Sequence, residues 1–154
     1  MFIGQRFFLC FGLDYSVTFL YQNQFQDLFT STLPIHHNDT FLVISGDVLT
    51  DFDLTAALKF HKDKKALATM VLTRVTNPLA YGVVIANKEG TIERFLEKPV
   101  WGEVFSDTVN TGIYILEPKI FEFIPEKKEF DFSRNLFPHL LESKQALYGY
   151  IADG

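Results

Sequence analysis

The run FLVIS at 41–45 stops at Gly46 and Asp47, and this stretch constrains the fold more than any other. A continuous apolar run with β-branched residues reads as a strand buried on both faces, as in a parallel sheet. Asp53 is then placed to cap a helix in which Leu54, Ala57, Leu58 and His61 recur at 3.6-residue spacing, and HKDKK closes it. The next strand is ALATMVLT at 66–73. Strand, helix and strand in this order predict a right-handed crossover between parallel strands.

Further along, GVVIA (82–86) and TIERFLEK (91–98) flank the turn NKEG and read as a hairpin. NTGIYILE (110–117) is a strand stopped by Pro118, and KIFEFI is a short helix. DFSRNLFPHLLESK (131–144) carries a second helix, with Asp131 or Ser133 as its cap and Pro138 forcing a kink or a late start. ALYGYIA (146–152) is a final strand. The expected class is α/β, a mostly parallel mixed sheet with flanking helices and a β-hairpin insert. The first 40 residues are less legible. YSVTFLY (15–21) alternates as a strand, MFIGQRFFLCFGL reads as part of a fold, and QNQFQDLFTSTLPIHHN shows neither period.

Composition narrows the function. A chain of 154 residues fits one domain, and a 47% hydrophobic, 21% charged make-up is that of a globular protein. A net charge of -5 without a Lys/Arg run argues against nucleic acid, yet one or two placed cations suffice for a small phosphorylated ligand. No apolar run reaches the length of a membrane helix. Cys10 is the only cysteine, so no disulfide framework or thiolate cluster forms within the chain, which suits the cytoplasm. His36 and His37 are adjacent, and His61 and His139 fall in helical patterns, so no metal-ligand spacing appears. VISGD lacks the Gly-x-Ser-x-Gly elbow of a hydrolase.

The hexapeptide RFLEKP (94–99) sets an acid and a base at the mouth of a strand that Pro99 ends. The bland reading is a solvated turn; the sharper one is a carboxylate for sugar hydroxyls beside an ammonium for a phosphate. Neighbours on an extended chain point to opposite faces, so Glu97 and Lys98 can share a ligand only where the strand stops. Open α/β sheets bind ligands beyond the carboxyl ends of their strands. Asp47 lies two residues past FLVIS, Glu97 and Lys98 close the 91–96 run, and Asn110, Thr111 and Gly112 begin another strand. These three clusters can converge on one crevice.

The series FLVISGDVLTDFDL, ATMVLTRV, PLAYGVVIANKEGTIERFLEKP, WGEVFSDTVNTGIYILEP and FDFSRNLFPHLL resembles the sugar-1-phosphate nucleotidyltransferases. Within them it is most similar to the mannose-1-phosphate guanylyltransferase branch, and the likeness covers about Phe41 to Gly154. The resemblance implies a Rossmann-like domain that joins a sugar 1-phosphate to a nucleoside triphosphate and releases pyrophosphate. It also implies Mg²⁺ on Asp47, with Asp47 and Lys98 in the catalytic machinery. Gly82, Glu97, Lys98, Asn110 and Thr111 would contact the sugar phosphate. A bare glycine at 82 would let a backbone N–H approach a sugar hydroxyl.

The family's glycine-rich triphosphate loop has no counterpart here: the glycines before position 41 are Gly4 and Gly12, and no Gly-x-Gly occurs. The expectation is a divergent segment over 1–40, scrambled or frameshifted. Residues 41–154 then form the sugar-phosphate side of a catalytic domain incomplete at both ends and inactive alone. Two other readings stand beside this one. One is a non-catalytic sugar-phosphate-binding or regulatory module. The other is a nucleotide-sugar glycosyltransferase using Asp51 and Asp53 as an Asp-x-Asp motif.

Overall fold

The computed structural model describes residues 7–11, 17–21, 39–45, 51–78, 81–97, 106–125 and 131–152; for 7–11, 17–21 and Glu97 the description is of the backbone. Among the described residues eight strands make one sheet: β1 Phe7–Phe11, β2 Val17–Tyr21, β3 Phe41–Ser45, β4 Ala68–Arg74, β5 Gly82–Ala86, β6 Ile92–Glu97, β7 Thr108–Leu116 and β8 Leu147–Ile151. Helix α1 spans Leu54–Asp63 and α2 spans Phe137–Glu142.

Asp53 caps α1 as its position foretold, its Oδ1 accepting from the Thr55 and Ala56 amides at 3.0 Å each. The hairpin also forms, pairing Gly82 with Glu97 and Val84 with Phe95. Its turn closes on Asn87, whose Oδ1 accepts from the Glu89 and Thr91 amides, and Gly90 takes a φ of 85° that a side chain would strain. Pro118 ends β7 and opens a 3₁₀ turn over Pro118–Phe123.

The strand order is β2-β1-β3-β7-β4-β8, with β5 and β6 off this path. The α/β class with a mixed sheet and flanking helices is as expected, and β3 and β4 do run in one direction, but where a mostly parallel sheet was expected the described pairings are mainly antiparallel. β3 and β4 are not neighbours. β7 lies between them, antiparallel to both, and the parallel pair in contact is β4 with β8. A parallel reading of strand, helix, strand fixes direction but leaves room for a later strand to enter. β1 and β2 extend the same sheet beyond β3, so part of the segment before residue 40 shares the sheet.

Each face of the sheet has its own core. Val71, Ile113 and Ile115 pack with Ala57 under α1. On the other face Val43, Met70, Leu72, Tyr114 and Leu116 pack with Leu136, Phe137 and Leu140. In β3 the face of Phe41, Val43 and Ser45 is buried while Leu42 and Ile44 are half-buried, so the strand is less enclosed than its sequence reads. Phe137 sits at the centre of the second core, its ring near those of Tyr114, Phe132 and Phe95 with centroids 4.9, 5.9 and 6.1 Å away.

The helix expected over 131–144 is in two parts. A π-helical turn spans Phe132–Leu136, and α2 follows with Pro138 in its first turn. Pro138 has no N–H to donate one turn back and its ring crowds a preceding carbonyl, so the wider turn relieves the clash. Of the two expected caps Asp131 is the one used, its Oδ1 accepting from the Arg134 amide at 2.9 Å.

Candidate functional site

β7 carries β4 along one edge for its whole length. Its other edge is shared: β3 pairs with Ile113–Leu116, and β5 touches it at Val109 through Val83. Between these contacts lie Asn110, Thr111 and Gly112, where β3 has ended and β5 begins at Gly82. The sheet therefore splits at the position where the polar clusters were expected to meet.

The split is a built feature. Leu72 faces Asn110 and Val71 faces Ile113, so Thr111 and Gly112 form a bulge. Thr111 Oγ1 donates to the Val71 carbonyl at 2.7 Å, and Asn110 Oδ1 accepts from the Gly112 amide at 2.9 Å. Gly112 has a φ of 79°, which accounts for a glycine there. Asn110 Nδ2 donates to Tyr114 Oη at 2.9 Å and reaches Ser133 Oγ at 3.5 Å.

The fold thus brings Gly82 and Asn110 to one place, with Thr111 next in the bulge and the Glu97 backbone paired to Gly82 across the hairpin. Asp47 and Lys98 lie outside the described residues, as does the Glu97 side chain; Asp47 follows the end of β3 by two residues and Lys98 follows β6 by one. Among the described residues no group of three or more His, Cys, Asp or Glu is placed to hold a metal. Asp53 of the DFD segment commits one carboxylate oxygen to the α1 cap.

A partly open cleft of about 30 Å³ adjoins the split, lined by Gly82, Asn110 and Ser133 with Met70, Phe95 and Leu96 as apolar walls. Ser133 was weighed from sequence only as a helix cap. Its place in this cleft depends on the π turn, whose wider geometry the kink or late start expected from Pro138 does not specify. Tyr81, next to Gly82, is about half exposed, unusual for a large aromatic. A larger cleft of about 390 Å³ lies by the hairpin turn among Lys64, Arg74, Lys88, Asp107 and Tyr150, and none of the expected site residues line it.

At the opposite end of β3, β4 and β7 lies a polar cluster that sequence reading missed. His61 Nδ1 is 2.8 Å from Thr69 Oγ1, and Nε2 is 3.0 Å from Glu117 Oε1. Thr40 Oγ1 donates to the same carboxylate oxygen at 2.6 Å. A carboxylate only accepts, so in the neutral ring the proton is on Nε2 and Nδ1 accepts from Thr69. Burial pushes the His61 pKa below its ordinary value, partly opposed by the hydrogen bond and charge of Glu117. The Thr-His-Glu order mimics a nucleophile relay, but Thr69 is 0% and His61 1% exposed, which bars a substrate.

No described helix is long and apolar enough to cross a membrane. The sequence profile described as nucleotidyl transferase matches residues 21–154. A UTP–glucose-1-phosphate uridylyltransferase of Synechocystis is 43% identical over 118 residues, 75% of this chain and 30% of that protein. A mannose-1-phosphate guanylyltransferase of Mycobacterium tuberculosis is 37% identical over 115 residues, 74% of this chain and 32% of that protein. The chain thus spans about a third of the length of these relatives. A crystallised Bacillus anthracis protein, described as a glucose-1-phosphate thymidylyltransferase in complex with sucrose, superposes with a TM-score of 0.60 at 27% identity. The match covers 76% of this chain and 48% of that one. HddC from Yersinia pseudotuberculosis shares the fold, with a TM-score of 0.61 at 23% identity over 74% of this chain and 48% of that one. The chain belongs to the nucleotidyl transferase family.

Proposed function

We propose that this chain forms the sugar-1-phosphate side of a nucleotidyltransferase, which joins a hexose 1-phosphate to the α-phosphorus of a nucleoside triphosphate and releases pyrophosphate. The observation that carries the reading is the split in the sheet, where Gly82 and Asn110 line one cleft and Thr111 follows in the bulge. Glu97 takes sugar hydroxyl hydrogens, and the Gly82 N–H serves a further hydroxyl. With the Thr111 hydroxyl hydrogen and one Asn110 Nδ2 hydrogen committed within the chain, these residues offer the sugar the other Nδ2 hydrogen, the Thr111 Oγ1 lone pairs and the backbone of the bulge.

Lys98 holds the 1-phosphate and offsets the repulsion between two polyanions. The sugar phosphate oxygen then forms the new bond to the α-phosphorus as the bond to the bridging oxygen breaks, and the charge leaves on pyrophosphate. The protein's part is positioning and charge compensation. We assign Mg²⁺ as cofactor, with Asp47 as a protein donor: a hard carboxylate suits an ion bound through one or two carboxylates plus substrate phosphates. When bound, it neutralises phosphate charge.

The mannose 1-phosphate and GTP pair is supported by the guanylyltransferase relatives, and glucose 1-phosphate with UTP by the Synechocystis relative. Cytosolic placement is our reading of the single cysteine. The second reading, a binding module without turnover, rests on the lack of any Gly-x-Gly for a triphosphate loop.

Calorimetric titration with mannose 1-phosphate and glucose 1-phosphate tests the proposal. Binding weakened about tenfold or more by Lys98→Ala supports it, since a charge-assisted hydrogen bond is lost. No binding of either sugar phosphate sinks it. Binding without pyrophosphate release, when GTP or UTP and Mg²⁺ are added, favours the module.

A further inference from the structure

We propose that the cleft beside Gly82 seats the hydroxymethyl group of the hexose, and that Ser133 is the residue that holds its hydroxyl. This rests on the sugar-1-phosphate reading and adds a residue and a ring position to it. Size decides what can enter. About 30 Å³ admits roughly two water-sized groups, far below the ~300–1,000 Å³ of a pocket for a whole ligand. The cleft takes a substituent and leaves the ring outside.

The lining selects among substituents. Met70, Phe95 and Leu96 present apolar surface, while Asn110 and Ser133 form the polar end. A ring hydroxyl is a single polar atom and leaves the apolar wall without a partner. A hydroxymethyl group supplies a CH₂ for that wall and an O–H for the polar end. Asn110 is engaged through Oδ1 by Gly112 and through one of its two Nδ2 hydrogens by Tyr114. Its contact with Ser133, at 3.5 Å, is at the long limit of a hydrogen bond. Ser133 therefore retains the capacity to bind a further hydroxyl, and the π turn capped by Asp131 fixes where its side chain starts. Glucose and mannose share this hydroxymethyl and differ at C2, so one such cleft serves substrates of the kinds named for both relatives.

The test is calorimetry on the 154-residue chain with mannose and glucose 1-phosphates and their 6-deoxy analogues. The wild type should bind each 6-deoxy analogue about three- to tenfold more weakly than its parent, the worth of one hydrogen bond. Ser133→Ala should weaken the parent to match and leave the analogue unchanged, so that the double-mutant cycle closes on this pair. Three results overturn the proposal alone: equal loss of parent and analogue, no change in Ser133→Ala, or discrimination that follows a 2-deoxy analogue instead. If the wild type binds no sugar 1-phosphate, the underlying reading falls with it.

Discussion

The two ends of the sheet use the same kinds of polar side chain in opposite ways. At the end holding His61, Thr69, Glu117 and Thr40, the side chains bond to one another across α1, β4, the residue after β7 and the residue before β3. At the other end, Thr111 and Asn110 spend their hydrogen bonds on a bulge, and a cleft remains beside them. A polar cluster whose His61 and Thr69 are sealed by packing, with Glu117 alone reaching towards the surface, ties elements together; one that props open a gap leaves a cleft. Bond satisfaction does not distinguish the two, because both are well bonded. Access does.

The largest effect is expected where the open end rests on the core. Phe137 is fully buried against Tyr114, Phe132 and Phe95, and Tyr114 in turn accepts from Asn110. Phe137→Ala should cost about 3–5 kcal/mol, from lost transfer energy plus the cavity left behind. Urea unfolding would measure it. A loss under about 1 kcal/mol would mean the site's platform is not built on this ring.

At the sealed end, Glu117→Ala removes the acceptor for His61 Nε2–H and for Thr40, and should cost about 1–3 kcal/mol in urea. The same network predicts a pH dependence. Burial holds the His61 pKa below its ordinary value, so the unfolded chain takes up a proton at higher pH than the folded one. Its contribution is complete above about pH 6.5, is lost as pH falls towards the folded pKa, and levels off below it. Subtracting the profile of His61→Gln isolates this slope. Glu117 and Lys62 are the charges acting on the ring. Glu117→Gln keeps an acceptor but removes the negative charge, so the loss should continue to lower pH; an unchanged profile would show that the ring does not sense that carboxylate.

Thr111→Val is expected to be milder, about 0.5–1.5 kcal/mol, because it deletes one bond at a half-buried bulge. It sharpens the comparison through binding. If the bulge serves the sugar, affinity for a sugar 1-phosphate falls with it, whereas Glu117→Ala should leave that affinity alone while the chain stays folded.

What was legible in the sequence was what is local. Asp53 precedes its helix by one residue, the NKEG turn sits between its two strands, and Pro138 perturbs the turn just before it. Each signal acts within a few residues, so composition and spacing carry it. The entry of β7 between β3 and β4 is a pairing over long separations, and nothing in FLVIS or ALATMVLT distinguishes an antiparallel neighbour from a parallel one. The sealed network was out of reach for the same reason, since Glu117 meets Thr40 across 77 positions and His61 across 56. Of the proposed site, Gly82, Asn110 and Thr111 came from motif likeness, and the fold sets Gly82 and Asn110 against one cleft. Ser133 needed the π turn before its direction had meaning.

The smallest effect is expected from the most conspicuous ion pair. Arg74 Nη1 lies 2.6 Å from Asp107 Oδ1 at the rim of the larger cleft, but the two side chains are 62% and 52% exposed. Water screens such a pair, and holding two flexible chains in one geometry cancels much of the attraction, so Arg74→Ala should change stability by about 0.5 kcal/mol or less. The change should shrink further when salt is raised to about 1 M. A loss several times larger, or one indifferent to salt, would mean that Arg74 braces the starts of the 75–78 and 106–108 segments in a way exposure conceals. The open end would then be held by charge as well as by packing, and the contrast with the sealed end would have to be redrawn.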